Sequence, residues 1–304
     1  MGSDPVGRAE AQPRAQRTAV GGSRRFSSQD NEFVSPYLLR EHVGTGEAVV
    51  TRRPSRGSAG EWVEVDGIEQ LLSPSGVVLG QREVVSPAER ERRSVSAAMS
   101  RAISLARRFS VRNGLTKLWT FTYASEQWDR AQVRRDVNRL MVEWRRLNGG
   151  RPFPYLYVIE RHPGPVLDDG SRGPSHGLHV HVAVPGGLWT SWAGLTDAWG
   201  HGFAHYRAEN KFIGQGKGRR ERSRRLASYL TKYITKAFDG HQKGDRRYEV
   251  ARGYEGEVRS RTFASFREVL DWLQHFGLEQ YELVWSDYEA EDWLGPPTWI
   301  YRSG

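Results

Sequence analysis

The chain has 304 residues, enough for one large domain or two smaller ones. Its 45 Lys and Arg against 36 Asp and Glu leave a net charge of +9, which favours a polyanionic partner, nucleic acid or a membrane surface. It has no cysteine, which excludes disulfides, iron–sulfur clusters and thiolate zinc sites. No apolar run approaches the ~20 residues of a membrane span, so no membrane partner is expected.

Residues 1–85 are dominated by Gly, Ser, Pro and Arg and show little periodicity. They are expected to be a basic arm, mostly disordered or weakly structured, with short strands at 48–51 and 62–65. Pro87 suits a first helical turn, and Ala97, Ala98, Ala102 and Ala106 favour a helix running to about Phe109. Leu118-Trp-Thr-Phe-Thr-Tyr123 alternates and is aromatic and β-branched, which predicts a strand. Val133, Val137, Leu140, Met141, Trp144 and Leu147 then recur at helical spacing, and Asn148-Gly149-Gly150 stops that helix.

A second strand is predicted over 155–160, and a third, antiparallel to it, over 177–184. A short helix over 188–199, a fourth strand over 202–207 and a helix over 223–238 complete the pattern. The order β-α-β-β-α-β, followed by a further helix, predicts an α+β domain of the ferredoxin-like or RRM-like kind, with a central antiparallel sheet and flanking helices. Residues 86–245 are read as this domain. Residues 246–304 form a C-terminal α/β extension, helical over 266–276 and extended over 281–285.

Strand alternation places Leu178, Val180, Val182 and Val184 on one apolar face and His179 and His181 on the other, which is expected to be open. Two adjacent imidazoles suit one divalent cation. A third ligand is sought at Glu160 or His162, at the end of the second strand. A carboxylate suits Mg2+ or Mn2+ and a third imidazole suits Zn or Ni, and Glu160 is preferred. His201 and His205 are weaker candidates.

In Ser228-Tyr-Leu-Thr-Lys-Tyr-Ile-Thr-Lys236, Tyr229 and Tyr233 lie one helical turn apart, with Lys232 and Lys236 in a second row. A phenol has a pKa of about 10 and needs nearby positive charge to act as a nucleophile, which the lysines would supply. The bland alternative is a core stripe of Leu226, Leu230, Tyr233 and Ala237. Residues 211–236 hold nine Lys or Arg against one acid, Glu221. Lys217, Arg219, Arg220, Arg222, Arg224 and Arg225 are therefore the candidate DNA-binding residues. Trp119, Phe121, Tyr123 and Phe203 are aromatics that either stack bases or join the core.

Leu118–Tyr123, His179-Val-His181 and Tyr229–Lys236 together resemble the motifs of the HUH endonucleases, specifically the two-tyrosine rolling-circle replication initiators of plasmids and small phages. The resemblance spans roughly residues 110–240. It implies that one tyrosine attacks a phosphate of single-stranded or supercoiled origin DNA, giving a 5′-phosphotyrosine and a free 3′-OH. A metal at His179 and His181 would polarise that phosphate, and the second tyrosine would cut and rejoin after one round. A cytoplasmic protein associated with plasmid or phage DNA is implied. There is no Walker A motif, so helicase and polymerase are expected from the host. Two other readings stand: an HUH transposase or relaxase, and a non-catalytic single-strand binder on an RRM-like sheet.

Overall fold

The structure is a computed structural model. It describes residues 37–52, 61–72, 76, 78–84, 86–162, 164, 166–171, 173, 175, 177–188, 191–207, 218–238, 248–275, 281–286 and 298–303. The expected N-terminal arm up to residue 36 and Lys217 lie outside the described residues. In chain order the elements are β1 (Tyr37–His42), β2 (Glu47–Arg52), β3 (Glu61–Val65), β4 (Ile68–Leu72), β5 (Val78–Glu83), α1 (Pro87–Asn113), β6 (Leu115–Tyr123) and α2 (Arg130–Leu147). There follow β7 (Leu156–Arg161), β8 (Leu178–Pro185), α3 (Trp192–Trp199), β9 (Gly202–Arg207), α4 (Arg219–Phe238), β10 (Tyr248–Val250), β11 (Val258–Phe263), α5 (Phe266–His275), β12 (Tyr281–Ser286) and β13 (Thr298–Ser303).

Local chemistry sets the helix ends. The Ser86 hydroxyl accepts from Glu89 N–H at the start of α1, Pro87 follows at the first turn, and Gly114 closes the helix at φ +62. The Asp129 carboxylate caps α2 by accepting from Ala131 N–H.

The central sheet is antiparallel with order β10-β7-β8-β6-β9. Counting β6, β7, β8 and β9 as the four strands of the β-α-β-β-α-β unit, the order is 2-3-1-4, the ferredoxin-like arrangement of an α+β fold. Helices cover both faces. On one, α2 and α3 bury Val133, Val137, Leu140, Met141 and Trp144 against Trp119, Phe121, Val180 and Val182. Each such large side chain contributes about 2–3 kcal/mol. On the other, α1 and α4 bury Ala102, Ala106, Phe109, Leu226, Leu230 and Ile234 against Leu115, Leu118, Leu156, Val158 and Ala183.

The histidine face is therefore not open, contrary to the strand-alternation reading. Leu156 and Val158 share it and need cover, and α4 supplies that cover. Such double burial shows in sequence as strands apolar at both alternations, as in Leu156-Tyr-Val-Ile159.

The N- and C-terminal segments pair with each other. The second sheet has order β11-β1-β2-β13-β12, and α5 packs Val269 and Leu273 on Leu39, Val50, Trp299 and Tyr301. The divisions drawn at 85 and 245 thus meet a sheet that joins the two ends of the chain, while β10 adds to the central sheet. The short strands expected at 48–51 and 62–65 are β2 and β3, while β1 is a strand that the sequence reading did not give. Glu47, buried in this sheet, meets Arg107 at 2.7 Å, Arg108 at 3.4 Å and Arg302 at 3.4 Å, tying it to α1. β3, β4 and β5 form a separate three-stranded sheet, whose Asp66-Gly67 turn has both φ positive, as a tight hairpin requires.

Candidate active site

Register brings the candidate side chains onto one face. Glu160 lies opposite His179, and His179 opposite Thr122; Val158 and Thr120 flank His181 on either side. Glu160, His179 and His181 are all buried. The His181 ring is held at both nitrogens: Nδ1 is 2.9 Å from Thr120 Oγ1 and Nε2 is 2.8 Å from Glu160 Oε2. His162 stacks on His179 with ring centroids 4.4 Å apart.

Helix α4 crosses above this layer. The Tyr233 ring stacks on His181 at 3.7 Å, nearly parallel, and the Tyr229 ring meets Tyr233 edge-on at 5.2 Å. The Tyr233 hydroxyl donates to the Tyr229 hydroxyl at 2.7 Å. One turn further, Lys236 donates to Glu160 Oε1 at 2.6 Å. Burial alone would raise the Glu160 carboxyl, but hydrogen bonds from His181 and Lys236 outweigh it and hold the group below the usual carboxylate range. Lys236, Glu160, His181 and Thr120 thus form one hydrogen-bonded row, on which the Tyr233 ring lies.

Leu226, Leu230 and Tyr233 are also the buried stripe that the bland reading assigned to this helix. Tyr233 is both a core aromatic and a neighbour of His181. Tyr229 is half-buried, and Lys232 is exposed on the helix surface.

Two imidazoles and a carboxylate are donors of the type that divalent metals take, and a buried carboxylate already paired with an ammonium shows that the site accommodates a cation. Among the described residues, however, no three His, Asp or Glu side chains are arranged to hold a metal ion. The residues fit a metal in kind, and ligation would require Glu160 to exchange Lys236 and His181 for it.

The basic residues of α4 lie further back. Ten residues separate Arg219 from Tyr229, about 15 Å along the helix. Arg224 donates to Ser303 O at 2.7 Å and Arg220 to Ser303 Oγ at 3.3 Å, holding the end of β13. Arg225 pairs with Glu221 at 2.9 Å. Arg219 and Arg222 line a cavity of about 220 Å3 beside Gly186 and Gly187.

His201 belongs to another cluster. It lies 3.3 Å from buried Asp136, which also accepts from Tyr123 at 2.8 Å and pairs with Arg139. Burial, with Asp136 beside it, raises the Tyr123 phenol. Of the four aromatics considered for base stacking, Trp119, Phe121 and Tyr123 are core and Phe203 is exposed. The sequence reading missed Thr120. The signal was present, because Thr120 and Thr122 are the polar positions in an otherwise apolar alternation.

No curated protein and no solved structure matches the chain. No described helix is long and apolar enough to cross a membrane. A family model does match, over residues 116–238, a span running from β6 to the end of α4 and holding every residue of the site above. Over that span the chain is similar to the family described as Replication-associated protein ORF2/G2P, which supports a Rep-type, replication-associated protein.

Proposed function

We propose that the chain is a rolling-circle replication initiator of the HUH, two-tyrosine kind, which nicks and rejoins origin DNA through a 5′-phosphotyrosine. The observation that carries this is the pair of phenol oxygens 2.7 Å apart, with the ring of one of them, Tyr233, stacked on the imidazole of His181. Two nucleophiles so close reach one phosphate with little movement of the backbone, so cleavage and rejoining alternate at one place without release of the strand.

Tyr229, the more exposed phenol, is the first nucleophile in this reading, and Tyr233 donates the hydrogen bond that steadies its oxygen as charge develops. When Tyr229 attacks, it gives up its phenol proton to solvent, its O–P bond forms, and the bond to the 3′-oxygen breaks, that oxygen taking up a proton from solvent. The product is a 5′-phosphotyrosine and a 3′-OH that primes synthesis. In the return step Tyr233 attacks the regenerated junction, and the freed 3′-OH displaces Tyr229 to close the circle.

His179, His181 and Glu160 would hold Mg2+ or Mn2+, which when bound supplies Lewis-acid polarisation of the scissile phosphate. Lys232 and Lys236 place positive charge beside the phenols and the phosphoryl oxygens. Arg219, Arg220, Arg222, Arg224 and Arg225 give α4 a basic flank for the DNA backbone. Host helicase and polymerase would complete replication in the cytoplasm, at the plasmid or phage DNA.

The test is incubation with labelled single-stranded origin DNA and Mg2+ or Mn2+, followed by denaturing electrophoresis. A denaturant-stable protein–DNA adduct that disappears in the Tyr229→Phe/Tyr233→Phe double variant supports the reading. No adduct on any origin strand, or an adduct that persists in the double variant, overturns it.

A further inference from the structure

Among the described residues β9 is an edge of the central sheet, and two large aromatic side chains lie in solvent there. Phe203 is 64% exposed and Trp192 is 61% exposed, whereas Trp119, Phe121, Tyr123, Tyr157 and Trp199 are buried in the core on the opposite face of the sheet. Phe203 lies opposite Thr122, which lies opposite His179, so all three share the site face. Two strand spacings separate Phe203 from His179, about 10 Å. The helices α1 and α4 that close this face pack over β6 and β7. Trp192 lies along the outer edge of β9, where its indole N–H donates to Ala204 O at 2.6 Å.

We propose that Phe203 is the platform on which a base of single-stranded DNA stacks as the strand enters the tyrosine site. The proposal rests on the reading that the chain acts on single-stranded DNA. A nucleobase offers an apolar π-face to the ring and leaves its charged backbone in solvent, towards the exposed His205 on the same strand and the hydroxyl of Thr122. A protein strand is the poorer occupant. Trp192 already takes an edge carbonyl that an added strand would need, and the chain's charge of +9 favours an anionic guest. An RRM-type platform uses aromatics on the two central strands. Here the site-face positions of those strands hold Thr120, Thr122, His179 and His181, which leaves the edge strand to supply the stacking ring.

The experiment measures binding of a fluorescein-labelled single-stranded oligonucleotide by anisotropy, with the full chain in EDTA at fixed salt. Phe203→Ala is expected to weaken binding about tenfold, the loss typical of one stacked base. Phe203→Trp should restore it and Phe203→Leu should not, and all three should keep the wild-type Tm because the ring is exposed. A 2-aminopurine scan should find a position whose quenching is lost only in Phe203→Ala and Phe203→Leu. Unchanged affinity in Phe203→Ala, or equal binding by the Leu and Trp variants, overturns the proposal. If the wild type still forms its tyrosine adduct in that case, the functional reading survives. A wild-type chain that binds no single-stranded DNA overturns both.

Discussion

The Tyr233 hydroxyl donates to the Tyr229 hydroxyl at 2.7 Å while the Tyr233 ring lies 3.7 Å from that of His181. The Tyr233 phenol is thereby fixed against the sheet, and the Tyr229 phenol stays half-buried. Tyr229→Phe is expected to lower the first cleavage at least tenfold. Tyr233→Phe should retain much of that cleavage but lose the second transfer. Rapid-quench assays on a substrate labelled on both sides of the nick separate the two steps.

Lys236 and Glu160 form a part-buried ion pair at 2.6 Å. Lys236→Met leaves the buried carboxylate with His181 alone and should cost about 1–2 kcal/mol, a value tempered by the solvent access of the lysine. Glu160→Gln/Lys236→Met should recover part of that loss. Urea denaturation of the four proteins of this cycle in EDTA reads the coupling directly.

Gly177 precedes β8 at φ +89, and a Cβ there would stand 2.7 Å from the Gln127 backbone. Gln127 O accepts from Leu178 N–H at 2.8 Å, so this contact sets the start of the histidine strand. Gly177→Ala should destabilise the fold by about 2–3 kcal/mol through strain and clash. A thermal melt equal to wild type would show that the loop yields freely.

Burial, with Arg108 beside it, pushes the His42 imidazole down from 6.5 to about 4, and Arg40 and Arg107 act in the same sense while Glu47 opposes them. The unfolded chain therefore binds the proton more readily between those values. Stability should be intact above pH 6.5 and fall as pH drops from 6.5 towards 4, by on the order of 2 kcal/mol from this group. Denaturation midpoints across that range should flatten in His42→Gln.

What was legible in the sequence is what depends on local periodicity. The His-x-His alternation, the four-residue tyrosine spacing and the Val133–Trp144 stripe each report one face of one element, and each element formed where expected. Two kinds of feature were not legible. Thr120 and Lys236 meet their partners only through strand register and the crossing of α4 over the sheet. Likewise, β1 was missed, and its pairing with β11, like that of β2 with β13, spans over 200 residues. Asp66-Gly67 between Val65 and Ile68 was a readable hairpin signal that composition obscured.

The most direct measurement is mass spectrometry of the trapped protein–DNA adduct after nuclease and protease digestion. A nucleotide remnant is expected on the phenol oxygen of Tyr229 or Tyr233. A remnant on any other residue, or none after incubation with cleavable origin strand and Mg2+ or Mn2+, would contradict it.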